Sequence, residues 1–341
     1  MKKILYLLFV IICCGCMRNS ETEKYQNKRN NIVDIRDRVE EIKIDDVLIG
    51  GNAQLYLINN YLIISDPSSN DKLIHLFNKK NFDYLISTGF RGEGPEEITN
   101  IGHIGVDEVH RKFYVNDHGK QLIFSYDLDS VLLASNYKPM IKMKMNEKQF
   151  PDRYQYISDT LCLGLIINTI GDFDFKPTVA EWNMSTGEIK PMRYEHSEIE
   201  KKRICFAASI EHEIYVECYH YHDLMTICGL DGNLKYNIYG PDWDNRKSNR
   251  TLYYADILFC GDKILVSYSG EDTFIKNQNG GVKSKCPTKF MIFDVNGNYL
   301  QTLETGYGIS DFCYDDENKR IIMSVDDVAI QFAYFDIDGI I

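Results

Sequence analysis

The sequence of 341 residues predicts an all-β protein, a six-bladed β-propeller with four-stranded blades. Three observations lead to this prediction. Short β-rich runs alternate with turns of Gly, Asn and Asp, and no long amphipathic pattern stands between them. A strand–turn–strand unit recurs along the chain at intervals of about 50 residues, which is the length of one four-stranded blade. A further β-rich segment precedes the first unit and is available to complete the last.

Each unit is marked by the residue that opens its hairpin turn. Asn and Asp accept a hydrogen bond from the backbone two residues on, and the Gly or Asn that follows tolerates a positive φ. Two more strands are expected upstream of each hairpin, such as NAQLYLI and YLIISD before the first. The second hairpin is predicted over QLIFSYDLDSVLLAS. The turn-opening residues are Asn78, Asp127, Asn183, Gly229, Asp294 and Asp336.

The last unit lacks an outer strand, because its sequence stops just after the turn. The N-terminal segment IVDIRDRVEEIKID, residues 32–45, is predicted to be the missing strand and to close the ring. Closure would remove the exposed sheet edges of an open array. A β-sandwich of similar size is the alternative, since strand patterns alone do not separate packed sheets from blades.

The first residues predict export. A basic pair precedes an unbroken apolar run over residues 4–14, which is shorter than the ~20 residues of a membrane-spanning helix. This layout is typical of a secretory signal. The run ends in CCGC and resembles the lipobox of bacterial lipoproteins, in which the cysteine after a small residue is lipidated. Only Cys16 satisfies that condition; an ordinary cleaved signal is the alternative.

These features divide the chain into a signal peptide (1–15), a lipidated polar tether (16–31) and the propeller domain (32–341). The tether is assigned because residues 17–31 are polar and lack apolar periodicity. The net charge of −12 argues against nucleic acid as a partner. It also argues against a charge-driven hold on an anionic membrane, so the lipid is the expected membrane contact.

Residues 85–98 read LISTGFRGEGPEEI. Together with the blade pattern, this loop resembles the TolB-like six-bladed β-propeller lipoproteins of Bacteroidetes, whose first blade often ends in G-x-G-P-G-E. Glu97 matches the last position, whereas Glu96 stands where the family often has Gly. The resemblance implies a propeller at the bacterial cell envelope and no particular activity. Met17 after the anchor favours the outer membrane by the same analogy and leaves the periplasmic or surface face open.

The same loop supplies a candidate ligand site. A functional interpretation places Arg91 and Glu97 at a channel mouth, since loops on a rigid scaffold often carry function. A structural interpretation has the loop cross between blades, with Glu97 capping backbone amides and Arg91 solvated. The sequence leaves both open.

Cys218, His220 and His222 form a metal-like cluster. Alternate residues of a strand share a face, and Cys and His are zinc ligands; packing between blades is the alternative. Cys218 and Cys228 flank a predicted hairpin and could form a disulfide. Most other cysteines of the mature chain lie in apolar runs, where they are expected to be buried thiols.

The sequence contains no Gly-x-Ser-x-Gly elbow, P-loop or His-Glu-x-x-His motif. No catalytic residue and no cofactor are therefore predicted. The predicted function is a binding or scaffold propeller for a protein, peptide or glycan. A propeller hydrolase or lyase acting on carbohydrate is the alternative, and it requires acids or histidines of several blades to converge at one channel mouth.

Overall fold

The computed structural model describes residues 21–134, 136–171, 174–246, 248–276 and 282–341. The predicted signal peptide and its lipidation site, Cys16, lie outside the described residues. Within the described ranges, no helix has the length and apolar character needed to cross a membrane.

Strands dominate the described chain, which has one short α-helix, α1 (Leu128–Leu133), and one 3-10 turn (Arg36–Arg38). Three short N-terminal strands come first: β1 (Glu23–Tyr25), β2 (Ile32–Asp34) and β3 (Glu40–Glu41). Blade 1 contains β4 (Gln54–Ile58), β5 (Tyr61–Ser65), β6 (Lys72–Asn78) and β7 (Tyr84–Phe90). Blade 2 contains β8 (Ile101–Asp107), β9 (Lys112–Asp117), β10 (Leu122–Asp127) and β11 (Met140–Lys144). Blade 3 contains β12 (Gln149–Ser158), β13 (Leu161–Thr169), β14 (Phe175–Trp182) and β15 (Ile189–Pro191).

The second half of the ring has the same plan. Blade 4 contains β16 (Ile204–Ser209), β17 (Ile214–Tyr219), β18 (Leu224–Gly229) and β19 (Leu234–Tyr239). Blade 5 contains β20 (Thr251–Cys260), β21 (Lys263–Asp272), β24 (Lys289–Asp294) and β25 (Tyr299–Glu304), with the hairpin β22 (Phe274–Lys276) and β23 (Val282–Ser284) inserted between its middle strands. Blade 6 contains β26 (Ile309–Asp315), β27 (Arg320–Val325) and β28 (Phe332–Asp336), and β3 is its fourth strand. The predicted six-bladed propeller is confirmed.

Blades are held together by apolar side chains on both faces of their middle strands. All six residues of β17 and all six of β18 are buried, because each blade is covered by a neighbour on either side. The hydrophobic clusters accordingly join adjacent blades, as where Ile74 of blade 1 packs with Phe113 of blade 2. Burial of apolar surface stabilises the folded state by about 25 cal/mol per Å². Because the clusters lie between successive blades, this stabilisation is distributed around the ring.

The second hairpin differs from the prediction. Residues expected to form its outer strand are helical, in α1. Asp127 caps this helix by accepting a hydrogen bond from the Ser130 amide at 2.9 Å. The side chains of Leu128 and Val131, both in the helix, are buried against the propeller. The outer strand is instead β11, further along the chain.

Residues 21–45, here called the strap, run along the outer edges of three successive blades. β1 lies parallel to β19 of blade 4, β2 lies parallel to β25 of blade 5, and β3 lies antiparallel to β28 of blade 6. The segment 32–45 was predicted to be one strand on the last blade. It forms two strands on two blades, because Ile35 is buried and the 3-10 turn after it redirects the chain. That the β3–β28 pairing is what holds the ring closed stays a prediction.

The N-terminal tether is also placed differently from the expectation for residues 16–31. Its described part, residues 21–31, lies on the propeller. Arg29 is 9% exposed, and its Nη1 lies 2.7 Å from Asp223 Oδ1 of blade 4. The polar composition of this segment suggested a tether. Composition could not reveal that Arg29 pairs with a buried aspartate 194 residues away.

Candidate functional site

A cavity of about 360 Å³ occupies the central channel, and all six inner strands line it. A second space of about 610 Å³ adjoins it and shares Tyr56, His103 and Tyr154 in its wall. Each inner strand contributes at least one polar or small residue to the cavity wall, among them Tyr56, His103, Arg153, Ala207, Asp256 and Asp311.

Four ionisable residues of the cavity lie at irregularities of the inner strands. The pairing register shifts around His103 in β8 and immediately before Arg153, Asp256 and Asp311 in β12, β20 and β26. The inner strands of blades 1 and 4 pair with their neighbours without such a shift. β-bulges re-aim side chains and are over-represented beside functional sites. Four blades therefore direct a polar side chain toward one point by the same local device.

An ion pair crosses the cavity. Arg153 Nη1 of blade 3 lies 2.7 Å from Asp256 Oδ2 of blade 5, and the two side chains are 39% and 15% exposed to the channel. The other Asp256 oxygen accepts a hydrogen bond from the Ile257 amide at 2.8 Å. The Asp256 charge holds the pKa of Arg153 above its ordinary value, so the guanidinium stays charged.

Asp311 is the second carboxylate of the cavity. It is 8% exposed, and its Oδ2 accepts a hydrogen bond from the Leu55 amide of the neighbouring blade at 2.6 Å. Burial and the nearby Asp256 charge raise its pKa to about 7, against the opposing influence of Arg153. Asp311 makes no ion pair with any of the described residues.

His103 adds a ring and a fixed donor but no charge. Its Nε2 donates to the Tyr154 carbonyl at 2.6 Å, and its ring contacts Tyr56 and Tyr154 edge-on at centroid distances of 5.4 and 4.8 Å. Burial and the Arg153 charge lower the pKa of His103 to about 3. The charged groups lining the cavity are thus one guanidinium and two carboxyls.

Arg91 and Glu97 lie in the crossing from blade 1 to blade 2 and not in the cavity wall. Arg91 Nε donates to the Ser69 carbonyl at 2.6 Å, and Glu97 Oε2 accepts from the Gly94 amide at 2.8 Å. A Cβ at Gly92 would lie 2.0 Å from that Glu97 oxygen and would displace the carboxylate from this position. These contacts favour the structural interpretation of the loop; ligand binding by the two residues stays a prediction.

The predicted metal cluster is not assembled. Cys218 is fully buried in blade 4, whereas β17 ends at Tyr219, so strand alternation does not extend to the two histidines. His220 bonds the Tyr254 carbonyl at 2.6 Å and His222 the Asp244 carbonyl at 3.1 Å. Among the residues that the structure describes, no group of three or more His, Cys, Asp and Glu side chains is arranged to hold a metal ion.

The disulfide considered between Cys218 and Cys228 is not formed, and both thiols are free. Their strands pair in a register that places Cys218 opposite Met225 and Cys228 opposite Tyr215. Side chains that do not face each other across the hairpin cannot bridge without backbone movement.

Blade 1 contains an acid–imidazole–hydroxyl series that the sequence did not reveal. His75 Nδ1 lies 2.7 Å from Ser87 Oγ, and its Nε2 lies 4.0 Å from Asp66 Oδ2. The three residues are 1–6% exposed, and Asp66 also accepts bonds from the Gly50 and Ser68 amides. A nucleophile must reach its substrate, so this buried series is a structural network of the blade.

Sequence reasoning missed the cavity residues, although a signal was present. The predicted inner strands HIGVD, YADILF and ISDFCYD carry His103, Asp256 and Asp311 among apolar residues. An ionisable group within a buried strand marks a candidate site. Whether these residues form one site depends on ring closure, which brings strands that are distant in sequence to one axis.

Comparisons with known proteins agree with the propeller. A family model for DUF5128, described as a 6-bladed beta-propeller, matches residues 23–158. No curated protein matches the sequence. Because the family match covers less than half of the chain, it supports the fold rather than an activity.

Solved structures of similar fold cover nearly the whole chain. A candidate exported protein of Bacteroides fragilis NCTC 9343 has a TM-score of 0.55 at 12% identity, over 92% of this chain and 98% of that one. A member of the duf4221 family from Bacteroides vulgatus has a TM-score of 0.55 at 11% identity, over 88% and 98%. A luciferin-regenerating enzyme has a TM-score of 0.54 at 8% identity, over 87% and 94%. At such identities the likeness shows the fold alone.

Proposed function

We propose that this protein is an exported, lipid-anchored binding propeller whose ligand, part of a protein, peptide or glycan, enters the central channel. One observation carries the binding role: bulges in four inner strands direct His103, Arg153, Asp256 and Asp311 at one cavity. Charges taken out of bulk water cost stability unless they are well paired. A ligand that uses these groups accounts for their presence on the channel wall.

The proposed location is the bacterial envelope, at the outer membrane. Gly15 before Cys16 and the short apolar run support lipidation, and the exported neighbour from Bacteroides is consistent with a site outside the cytoplasm. Cys16→Ser should abolish labelling by a fatty-acid probe and move the protein out of the membrane fraction. Labelling that survives the substitution would refute lipidation at this residue.

The binding role is tested by filling the channel. Ala207 lines the cavity from blade 4, so Ala207→Trp should obstruct it. Native mass spectrometry with a panel of tetrapeptides and of neutral, acidic and amino sugars should show adducts on the parent protein and at least tenfold fewer on this variant. Leu85→Trp, on the exposed outer strand of blade 1, is the matched control and should bind as the parent does. Equal adducts on both variants, or none on the parent, would contradict the proposal.

A propeller enzyme acting on carbohydrate is the second candidate. It is favoured by Asp256 and Asp311, two carboxyls that face one cavity, the latter with a pKa near neutrality. A protonated and an ionised carboxyl are the acid–base pair of glycoside hydrolysis. This candidate predicts release of reducing sugar from a polysaccharide panel and its complete loss in Asp311→Asn. Adduct formation without turnover would leave the binding role alone.

A further inference from the structure

We infer that the group accepted by the channel is an organic cation, a primary ammonium or guanidinium, with Asp311 as its counter-ion. The inference rests on the proposed function, because it names the chemistry of the ligand for the same cavity. It goes beyond that function by excluding neutral and anionic ligand groups.

The charges of the cavity wall carry the argument. Asp256 is already paired with Arg153 at 2.7 Å, and His103 is neutral since burial lowers its pKa to about 3. Asp311 has no ion pair with the described residues: the Arg153 charge favours its ionised form, but burial and the neighbouring Asp256 disfavour that form more strongly. An incoming cation would supply the missing charge, whereas an incoming anion would meet an arginine that is already engaged.

Asp311 is also oriented for this role. The Leu55 amide holds one of its oxygens at 2.6 Å, which fixes the plane of the carboxylate. An ionised carboxylate has about four acceptor positions, so the amides of Leu55 and Phe312 leave positions for the N–H groups of an ammonium or guanidinium. Bonds of this charge-assisted type are about twice as strong as those between neutral groups.

The rest of the wall suits the apolar stem of such a ligand. Tyr56, Phe206 and Phe312 line the same cavity, and aromatic faces attract cations within about 6 Å. A volume of about 360 Å³ accommodates one long side chain or a small diamine rather than a folded domain. A divalent metal fits less well, because the described residues offer no group of three ligands.

Calorimetry at pH 8 with defined probes tests the inference. Cadaverine stands for a free amine and the tripeptide Ala-Lys-Ala for a lysine side chain of a polypeptide. Ala-norleucine-Ala, sodium acetate and calcium chloride are the comparison probes. At least one lysine-type probe should bind ten times or more tighter than the norleucine peptide. Preference for the tripeptide identifies a polypeptide source, and preference for cadaverine a free amine.

Three variants locate the counter-ion. Asp311→Asn should weaken binding of the cationic probe tenfold or more. Asp316→Asn, which removes an exposed carboxylate of the next turn, should leave it unchanged. Arg153→Met should tighten binding, because it frees Asp256; this variant decides the matter if Asp311→Asn does not fold.

The outcomes separate this inference from the binding role itself. If neither cadaverine nor the lysine peptide binds tighter than the norleucine peptide, or if acetate or calcium binds in their place, the cation is overturned while the channel remains a site. Cation binding that persists in both Asp311→Asn and Ala207→Trp places the cation elsewhere and overturns the inference. If no member of the wider panel binds the parent protein, the proposed function fails first.

Discussion

Two arginine–aspartate pairs of the propeller have the same length but differ in burial and in their surroundings. Arg29 and Asp223 lie 2.7 Å apart with side chains 2% and 0% exposed. Arg153 and Asp256 also lie 2.7 Å apart, but with side chains 39% and 15% exposed to the channel. The first pair is closed by Tyr254, whose hydroxyl lies 2.8 Å from both partners. The second has an additional carboxyl, Asp311, beside it.

A single strand, β20, serves both pairs. Tyr254 belongs to the closed pair and Asp256 to the open one, and the strand register shifts between them. The bulge thereby divides one strand into a part that joins the blades and a part that faces the channel. The comparison teaches that the distance of an ion pair does not indicate its role. Its balance of charge and its access to solvent do.

Removal of the strap, which contains Arg29 of the closed pair, should have the largest effect on stability. A chain that starts at residue 46 loses Arg29, leaves Asp223 buried without its partner, and uncovers the edges of β19, β25 and β28. We expect a loss of most of the free energy of unfolding and aggregation through the exposed edges. Urea unfolding and light scattering should be compared with a chain that starts at residue 21. Equal unfolding midpoints would contradict ring closure by the strap.

Arg29→Ala tests the closed pair alone. Removing one partner of a buried ion pair leaves an uncompensated charge and costs about 3–5 kcal/mol. The matched control is Arg111→Ala in blade 2, whose ion pair with Asp129 has side chains 37% and 60% exposed and should be worth less than about 1 kcal/mol. Urea unfolding gives both values. A difference between the variants below about 1 kcal/mol would mean that the two arginines do not differ as their burial indicates.

The sequence predicted the blades because their signals are local. A β-rich run such as β5 and a turn residue such as Asn78 are each recognised within a few residues of sequence. The strap lacked such a signal: β1 has three residues and pairs with residues 237–239, which no local pattern encodes. Helix α1 was missed because Val131 and its apolar neighbours suit a strand as well as a helix.

The candidate site was less predictable than the fold for the same reason. Asp256 and Asp311 were visible as charges within apolar strands, but their meeting with Arg153 requires the closed ring. Arg91 and Glu97 were selected by unusual loop composition, and that composition has local structural partners. Composition indicates where the backbone is unusual. Convergence of side chains must be seen in three dimensions.

The double variant Arg91→Ala/Glu97→Ala extends the comparison to charges at the surface. Both side chains bond backbone groups of their own region, and each such bond contributes about 0.5–1.5 kcal/mol. We expect a loss of about 2 kcal/mol, with the folded fraction binding channel probes as the parent does. Glu96→Ala, which removes an exposed pair with Lys138, is the control. Weaker binding at unchanged stability would instead assign the two residues to the ligand site.

The smallest expected effect is the pH dependence that Asp311 gives to the free energy of unfolding. The pKa of Asp311 is raised from 3.8 to about 7, so between these values the folded protein keeps a proton that the unfolded chain has released. The free energy of unfolding should therefore fall as pH rises from about 4 to about 7. Asp311→Asn removes this fall and keeps an acceptor for the Leu55 amide. A tenfold change in a protonation equilibrium corresponds to about 1.4 kcal/mol, and water in the channel reduces the effect, so we expect a gain of about 1 kcal/mol at pH 8.

Thermal unfolding of the parent and of Asp311→Asn at pH 5 and pH 8 measures this gain. Asp256, Arg153 and the neutral His103 face Asp311 in both proteins, so the difference between the two isolates the one carboxyl. Asp316→Asn is a control of opposite sign, because the hydrogen bond from Lys319 lowers the pKa of Asp316 and makes its ionised form favourable. A melting temperature of Asp311→Asn at pH 8 that is equal to or below that of the parent would show that the open cluster is balanced like the closed one. The two arginine–aspartate pairs would then not differ in their balance of charge.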